Sequence, residues 1–372
     1  MTSSETLKGG VQPRSVVASL PRYAAGKPPA TVDGMASYKL SSNENPLPPL
    51  PAVLEAIAHQ TDFNRYPDPL SSKLRAELSG FLGVPAEDIV TGAGSLGALN
   101  QLLATFAGGN DDGTPDEVVY AWRSFEAYPI SVGLSGASSV RIPVTADGRH
   151  DLRAMAEAVT ARTKMVLLCT PNNPTGPALG AAEAEEFIRR VPPHVVVVID
   201  EAYQEFVRAE GAVDGIAMYR KYPNVVVLRT FSKAHGLAGL RVGYSVSNPA
   251  LTQHIRVAAT PFAVSQIAEA AAIVSLRNHP QVVERVQSVV DERERVTAGL
   301  RNLGWAVPDA QGNFVWLDLG EHSAGFAELA GAQALSVRAF PGEGVRVSIG
   351  EVEANTRFLR LCADYTNAPR GS

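Results

Sequence analysis

Lys233 sits between two short aliphatic runs, within the segment NVVVLRTFSKAHGLAGLRVGY that extends from Asn224 to Tyr244. Val225 to Leu228 and Val242 to Val246 are too short for helices and read as buried strands, so the residues between them form a turn at a strand end. Ser232, Lys233, Gly236, Ala238, Gly239 and Arg241 crowd into that turn, where glycine gives the backbone room for close approach to a ligand. An amine buried there is pushed down in pKa and becomes a nucleophile toward a carbonyl near neutral pH. Arg241 and the Ser232 hydroxyl supply a charge and donors suited to a phosphate. A lysine taken alone is more often a solvated loop residue, and it is the neighbours that argue otherwise.

Three further strand ends carry polar residues. VVVVIDEAYQEF is an aliphatic strand running straight into Asp200, Glu201, Ala202 and Tyr203, and a carboxylate at such a tip is costly unless paired. The run Met165 to Cys169 ends in Pro171-Asn172-Asn173-Pro174-Thr175-Gly176, which by composition is a turn. At the carboxyl end of a buried strand, where such sheets bind ligands, Asn173 is also a donor. Ile89 to Leu103 reads as strand, Gly-rich turn and helix start, an arrangement that offers Ala93, Gly94 and Ser95 to an anion. The glycines Gly92, Gly94 and Gly97 also match a dinucleotide fingerprint, although its acidic partner would have to come from the loop GGNDDGTPDE rather than a second strand end.

The stretch TFSKAHGLAGLRVGY resembles the cofactor-lysine motif of the class I/II pyridoxal-phosphate aminotransferases of fold type I, in the branch holding histidinol-phosphate and aromatic amino acid aminotransferases. The resemblance runs from about Leu20 to the C-terminal helix. It implies pyridoxal 5'-phosphate as cofactor, joined to Lys233 as a Schiff base, with Asp200 facing a protonated pyridine nitrogen that keeps the ring an electron sink. The competing reading of Asp200 is a salt bridge inside the sheet. Asn173 and Tyr203 are implied at the phenolic oxygen, Phe125 against the ring, and Ala93, Gly94, Ser95, Ser232 and Arg241 around the phosphate. Tyr66, in the wording RYPD, is implied to cross a homodimer to the partner subunit's cofactor. Lys233, Asp200 and Tyr203 are the catalytic candidates.

Substrate recognition is implied at Arg346, which lies in a strand that should be partly buried and therefore needs an anion. Arg338, Asn313, Asn43 and Tyr23 are further candidates, Tyr23 from an N-terminal arm over the mouth of the site and Asn43 from the SNENP segment. The wording WRSFE, NFVWL and FPGEG resembles the aromatic subgroup, and Leu96 and Gly97 stand where the histidinol-phosphate pattern has an acidic pair. The expected reaction moves an amino group between phenylalanine or tyrosine and a 2-oxo acid such as 2-oxoglutarate. Histidinol-phosphate transamination is the alternative, because one arginine can hold a carboxylate or a phosphate. A non-catalytic, cofactor-binding regulator would need a DNA-binding extension, and no basic or helix-turn-helix segment is visible.

The elements that must position these residues fit a chain of 372 residues, longer than a single core usually grows. We expect an α/β fold with a large, mostly parallel, doubly wound domain over 48–260 and a smaller α/β domain over 261–372, the latter sharing the arm and strand of 1–47. Helices are expected over Ala52–Gln60, after Pro69, over Ala182–Arg190, Gln281–Leu303 and Glu351–Tyr365, and residues 1–13 read as a mobile polar tail followed by an extended, proline-bearing arm. A hydrophobic share of 45% with 19% charged residues and a net charge of -5 gives no basic footprint for nucleic acid. No apolar run suggests a membrane span or signal peptide, and Cys169 and Cys362 make neither a disulfide framework nor a metal site, which points to the cytoplasm.

Overall fold

The computed structural model describes residues 13–367. A seven-stranded sheet forms its centre, built from β2 (Ile89–Gly92), β3 (Glu117–Trp122), β4 (Ser138–Pro143), β5 (Thr163–Cys169), β6 (Val196–Asp200), β7 (Val225–Thr230) and β8 (Gly243–Ser247). Their spatial order is β2-β8-β7-β6-β5-β3-β4, and only β8 runs antiparallel to its neighbours. Every residue of β6 and nearly every one of β5 and β7 is buried, which is why these strands read as unbroken Val, Ile and Leu runs rather than as alternating ones. Helices cover both faces, among them Gly94–Phe106, Ala127–Ser135 and Ala181–Arg190.

The polar residues singled out above follow the carboxyl ends of the parallel strands. β5 runs into the Asn172-Asn173 turn, β6 ends on Asp200, and β7 leads to Ser232 and Lys233. β2 leads into the helix Gly94–Phe106 and β3 into Phe125. Parallel packing therefore gathers onto one edge groups that lie far apart in sequence.

A second, antiparallel sheet follows in chain order: β9 (Phe314–Gly320), β11 (Arg338–Phe340) and β12 (Glu343–Ser348), in the spatial order β11-β12-β9. Arg338 and Arg346 face each other in the β11–β12 register. β1 (Tyr38–Lys39) pairs in parallel with β10 (Leu335–Ser336), so the N-terminal segment is joined to the C-terminal unit. The helix His279–Asn302 lies between the two units, burying Val282, Val286, Val289 and Val290, and buried Arg293 donates to the carbonyls of Phe206 and Gly312. The helix Gln266–Arg277, capped by Ser265, packs on the helices Pro51–Ala58 and Ser72–Leu82.

Two local expectations need adjusting. The first described element is a five-residue helix, Ser15–Ser19, and only after Leu20 does the chain extend as Pro21 and the prolines beyond it require. The long helix begins at His279, two residues earlier than its apolar stripe suggests, because Pro280 sits in the first turn, where its missing N–H is not needed. Most of the expected polar tail lies outside the described residues. No described helix is long and apolar enough to cross a membrane.

Candidate active site

A cavity of about 320 Å³ opens at the carboxyl edge of the large sheet, and Tyr23, Ser95, Phe125, Asn173, Asp200, Tyr203, Ser232, Lys233 and Arg241 all line it. The Lys233 amine donates to the backbone carbonyls of Asn43 at 3.1 Å and Ser42 at 3.3 Å, and lies 5.6 Å from the centre of the Tyr203 ring. Neither partner is an anion. Burial, reinforced by the positive charges of Arg346 and Arg241 and opposed by Glu44, pushes its pKa down to about 7. Asn45 holds the turn by donating from its amide to the carbonyls of Lys233 and Ala234.

Asp200 is buried, and burial in apolar surroundings raises its pKa to about 6 despite a hydrogen bond from Tyr128. The Tyr128 hydroxyl donates to Asp200 Oδ2 at 2.7 Å, while Oδ1 has no hydrogen-bond partner among the described residues. The salt bridge weighed for Asp200 forms instead at its sequence neighbour: Glu201 Oε2 accepts from Arg229 Nε at 2.8 Å.

The phosphate-cup candidates come together at the start of the helix Gly94–Phe106. Arg241, itself at φ 55°, donates from Nη1 to Ser232 Oγ at 3.2 Å and from Nη2 to the Ala93 carbonyl at 3.4 Å. Gly94 has a φ of +74°, and a Cβ there would stand 2.4 Å from Arg241 Nη2, so the approach of guanidinium to helix start requires glycine. β2 lies at the sheet edge beside antiparallel β8, which leaves the dinucleotide reading without the adjacent parallel strand that would carry its acidic residue.

Arg346 is buried on β12 and donates to Asn173 Oδ1 at 2.5 Å and to the Ser41 carbonyl at 2.8 Å, and its Nε has no partner among the described residues. No carboxylate pairs with it among those residues. Arg338, directly across the ladder, is instead held by Glu126, with Nη2 to Oε1 at 2.5 Å, and by the Ala25 carbonyl. Asn43 directs its amide to the Tyr203 hydroxyl at 3.0 Å and accepts from Ser348 Oγ, while Asn313 donates to the Asn43 carbonyl at 3.2 Å. Tyr66 lies away from the cavity, 83% exposed, with its ring stacked 4.6 Å from that of Phe262.

Sequence reasoning missed several contributors. Tyr128 reads as a core aromatic inside AYPI, with nothing to indicate that its hydroxyl meets Asp200. Asn172 donates to the carbonyl of Arg123 and to Thr175 Oγ1 and accepts from Ser124 Oγ, fixing the turn from which Asn173 reaches the cavity. Ser42 acts through its backbone, which no side-chain pattern reports.

These residues fit pyridoxal phosphate. The cavity joins an unpartnered carboxylate oxygen, a depressed lysine amine and a guanidinium at a helix N-terminus, which suit a protonated ring nitrogen, an aldehyde and a phosphate respectively. A family model described as aminotransferase class I and II matches residues 37–368. An aromatic amino acid aminotransferase from Streptomyces coelicolor is 51% identical over 353 residues, covering 95% of this chain and 97% of its own length. Counterparts of the same description from Thermobifida fusca and Nocardia farcinica are 50% and 45% identical over 95% and 94% of this chain and 96% of theirs. Among solved structures, histidinol-phosphate aminotransferase from Sinorhizobium meliloti in complex with pyridoxal-5'-phosphate superposes with a TM-score of 0.84 at 26% identity, covering 97% of this chain and 99% of that one.

Proposed function

The chain belongs to the class I and II aminotransferases, and from that premise we propose that it binds pyridoxal 5'-phosphate and moves the amino group between an aromatic amino acid, phenylalanine or tyrosine, and a 2-oxo acid such as 2-oxoglutarate. The observation that carries the substrate assignment is identity of 45% to 52% across nearly the whole chain with relatives described as aromatic amino acid aminotransferases.

When bound, the cofactor supplies an electron sink for the pair released as the substrate Cα–H bond breaks. The Lys233 amine, about half neutral near pH 7, would link to the cofactor and is the group placed to take the Cα proton and return it. Asp200, ionised above about pH 6 and with Oδ1 unpartnered among the described residues, would keep the ring nitrogen protonated. Tyr203, Asn173 and Phe125 would hold the ring, and Ala93, Gly94, Ser95, Ser232 and Arg241 would hold the phosphate. Arg346, with no internal carboxylate among the described residues, binds the substrate carboxylate and orients Cα toward Lys233. Tyr23 covers the mouth, while Asn43, Asn313 and Arg338 support that wall.

We assign the large domain to 48–260, the small one to 261–372 with the arm of 1–47, and the working form to a cytoplasmic homodimer in which Tyr66 reaches the partner subunit's site. Support for the dimer is the open ring stack of Tyr66 on Phe262, with Phe63 also 68% exposed. Steady-state rates with phenylalanine, tyrosine and histidinol phosphate as donors and 2-oxoglutarate as acceptor test the assignment. A higher kcat/KM for the aromatic donors is expected; a large preference for histidinol phosphate would replace it with the alternative substrate.

A further inference from the structure

We propose that Tyr128 is a positioning residue for the cofactor, its phenol holding one oxygen of Asp200 so that the other stays ionised and aimed at the ring nitrogen. This rests on the reading of the cavity as a pyridoxal-phosphate site.

Tyr128 is 1% exposed, in the first turn of the helix Ala127–Ser135. Its ring stands edge-on to Tyr120 and to Phe125, both with centroids 5.6 Å away, and its backbone N–H donates to the Phe125 carbonyl at 3.0 Å. Those contacts fix the direction of the O–H, which ends on Asp200 Oδ2 at 2.7 Å. Burial and the nearby carboxylate keep the phenol protonated far beyond its ordinary range, so it remains a donor at any working pH.

The other groups around Asp200 bring it no cation. Glu201, next on the chain, raises its pKa; the Cys169 thiol, across the β5–β6 register, is itself pushed up to about 12 and neutral, and the Tyr203 phenol is raised as well. Tyr128 is therefore the side chain that offsets the burial of this charge, joined by the backbone N–H of Ala202. The short segment Phe125–Tyr128 thus brings both an aromatic ring for the cofactor's face and a phenol for the carboxylate at its edge.

The test is Tyr128→Phe, which removes one oxygen and keeps the packing. We expect cofactor binding, followed by quenching of protein fluorescence in the cofactor-free protein, to weaken about tenfold, the loss typical of a hydrogen bond to a charged group. With Asp200 a poorer partner, the ring nitrogen loses positive charge, and the linkage at Lys233 keeps its proton to higher pH. The pH midpoint of the visible absorption band of the cofactor-loaded protein should therefore rise by about half a unit or more. The kcat should fall about tenfold while KM for the amino acid stays unchanged, because Arg346 is untouched.

A wild-type affinity, midpoint and kcat in Tyr128→Phe would overturn the proposal. The pair Asp200→Asn and Asp200→Asn/Tyr128→Phe gives a second check: if Tyr128 acts through Asp200, adding Tyr128→Phe changes affinity less than twofold, and a full tenfold additive loss contradicts it. Failure of the wild-type protein to bind pyridoxal phosphate would instead sink the underlying reading of the site.

Discussion

Asp200 and Glu201 are adjacent at the tip of β6, both buried, yet they meet opposite fates. Glu201 turns to the side where Arg229 donates to it at 2.8 Å and the backbone N–H of Gly215 at 2.6 Å. Burial raises the Glu201 pKa as it does that of Asp200, but here the Arg229 charge and the Gly215 N–H oppose it, and Glu201 in turn holds Arg229 above its ordinary pKa. Asp200 turns to the cavity, where a phenol and a backbone N–H are its only partners among the described residues. The same contrast divides the arginines, since Arg229 has its carboxylate and Arg346 has none. On one side of the strand end the charges are complete within the fold. On the other they are left for a ligand to complete, and buried charge without a partner persists only where something else repays its desolvation.

Several experiments bear on that contrast. The largest effect is expected on the cavity side from Lys233→Ala, which removes both nucleophile and proton carrier and should cut kcat by at least about 10⁴-fold in single-turnover assays, with little change in Tm of the cofactor-free protein. Substantial residual turnover would remove Lys233 from the chemistry. On the complete side, Glu201→Gln should destabilise the protein by about 3 kcal/mol in denaturant titrations, because Arg229 is left with only the more exposed Asp214, 3.7 Å away, and a neutral result would mean the ion pair contributes specificity rather than stability. Arg346→Gln should raise KM for amino donor and 2-oxo acid together by roughly 100-fold with a smaller change in kcat. An effect confined to one substrate would assign the carboxylate site elsewhere. Last, the rate at which cofactor-free protein captures pyridoxal phosphate should climb with pH through a midpoint at about 7, where Lys233 loses its proton, and level off above it instead of climbing toward the ordinary 10.5.

Much of the cavity was legible because its residues follow strands that announce themselves. VVVVID ends an aliphatic run in a charge, which marks Asp200, and Lys233 stands out by the small-residue turn SKAHGLAG set between two aliphatic runs. What the pattern cannot convey is direction. Asp200 and Glu201 look interchangeable as letters, and only the pleat of β6 and the position of Arg229 on β7 send them to different partners. Tyr128 escaped for a related reason, since a tyrosine among apolar neighbours reads as packing whether or not its hydroxyl ends on a carboxylate. Arg338 reads as a second candidate behind Arg346, and what the sequence does not convey is that the β11–β12 register sets them side by side while Glu126 takes only Arg338. The pairing of β1 with β10 joins segments so distant in the chain that no local signal foretells it.

The account stands most directly on melting Asp200→Asn and Glu201→Gln at pH 8, each with and without pyridoxal phosphate. Burial raises Asp200 from 3.8 to about 6, so the folded state binds the extra proton in that window, and stability falls as pH climbs through it and stays lower above. Asparagine escapes that loss. Asp200→Asn should therefore melt higher than wild type without cofactor and gain much less from adding it, while Glu201→Gln melts lower by the same margin in both conditions. If Asp200→Asn instead melts lower without cofactor and keeps the full gain from adding it, Asp200 is a structural charge like its neighbour and the division between the two sides fails.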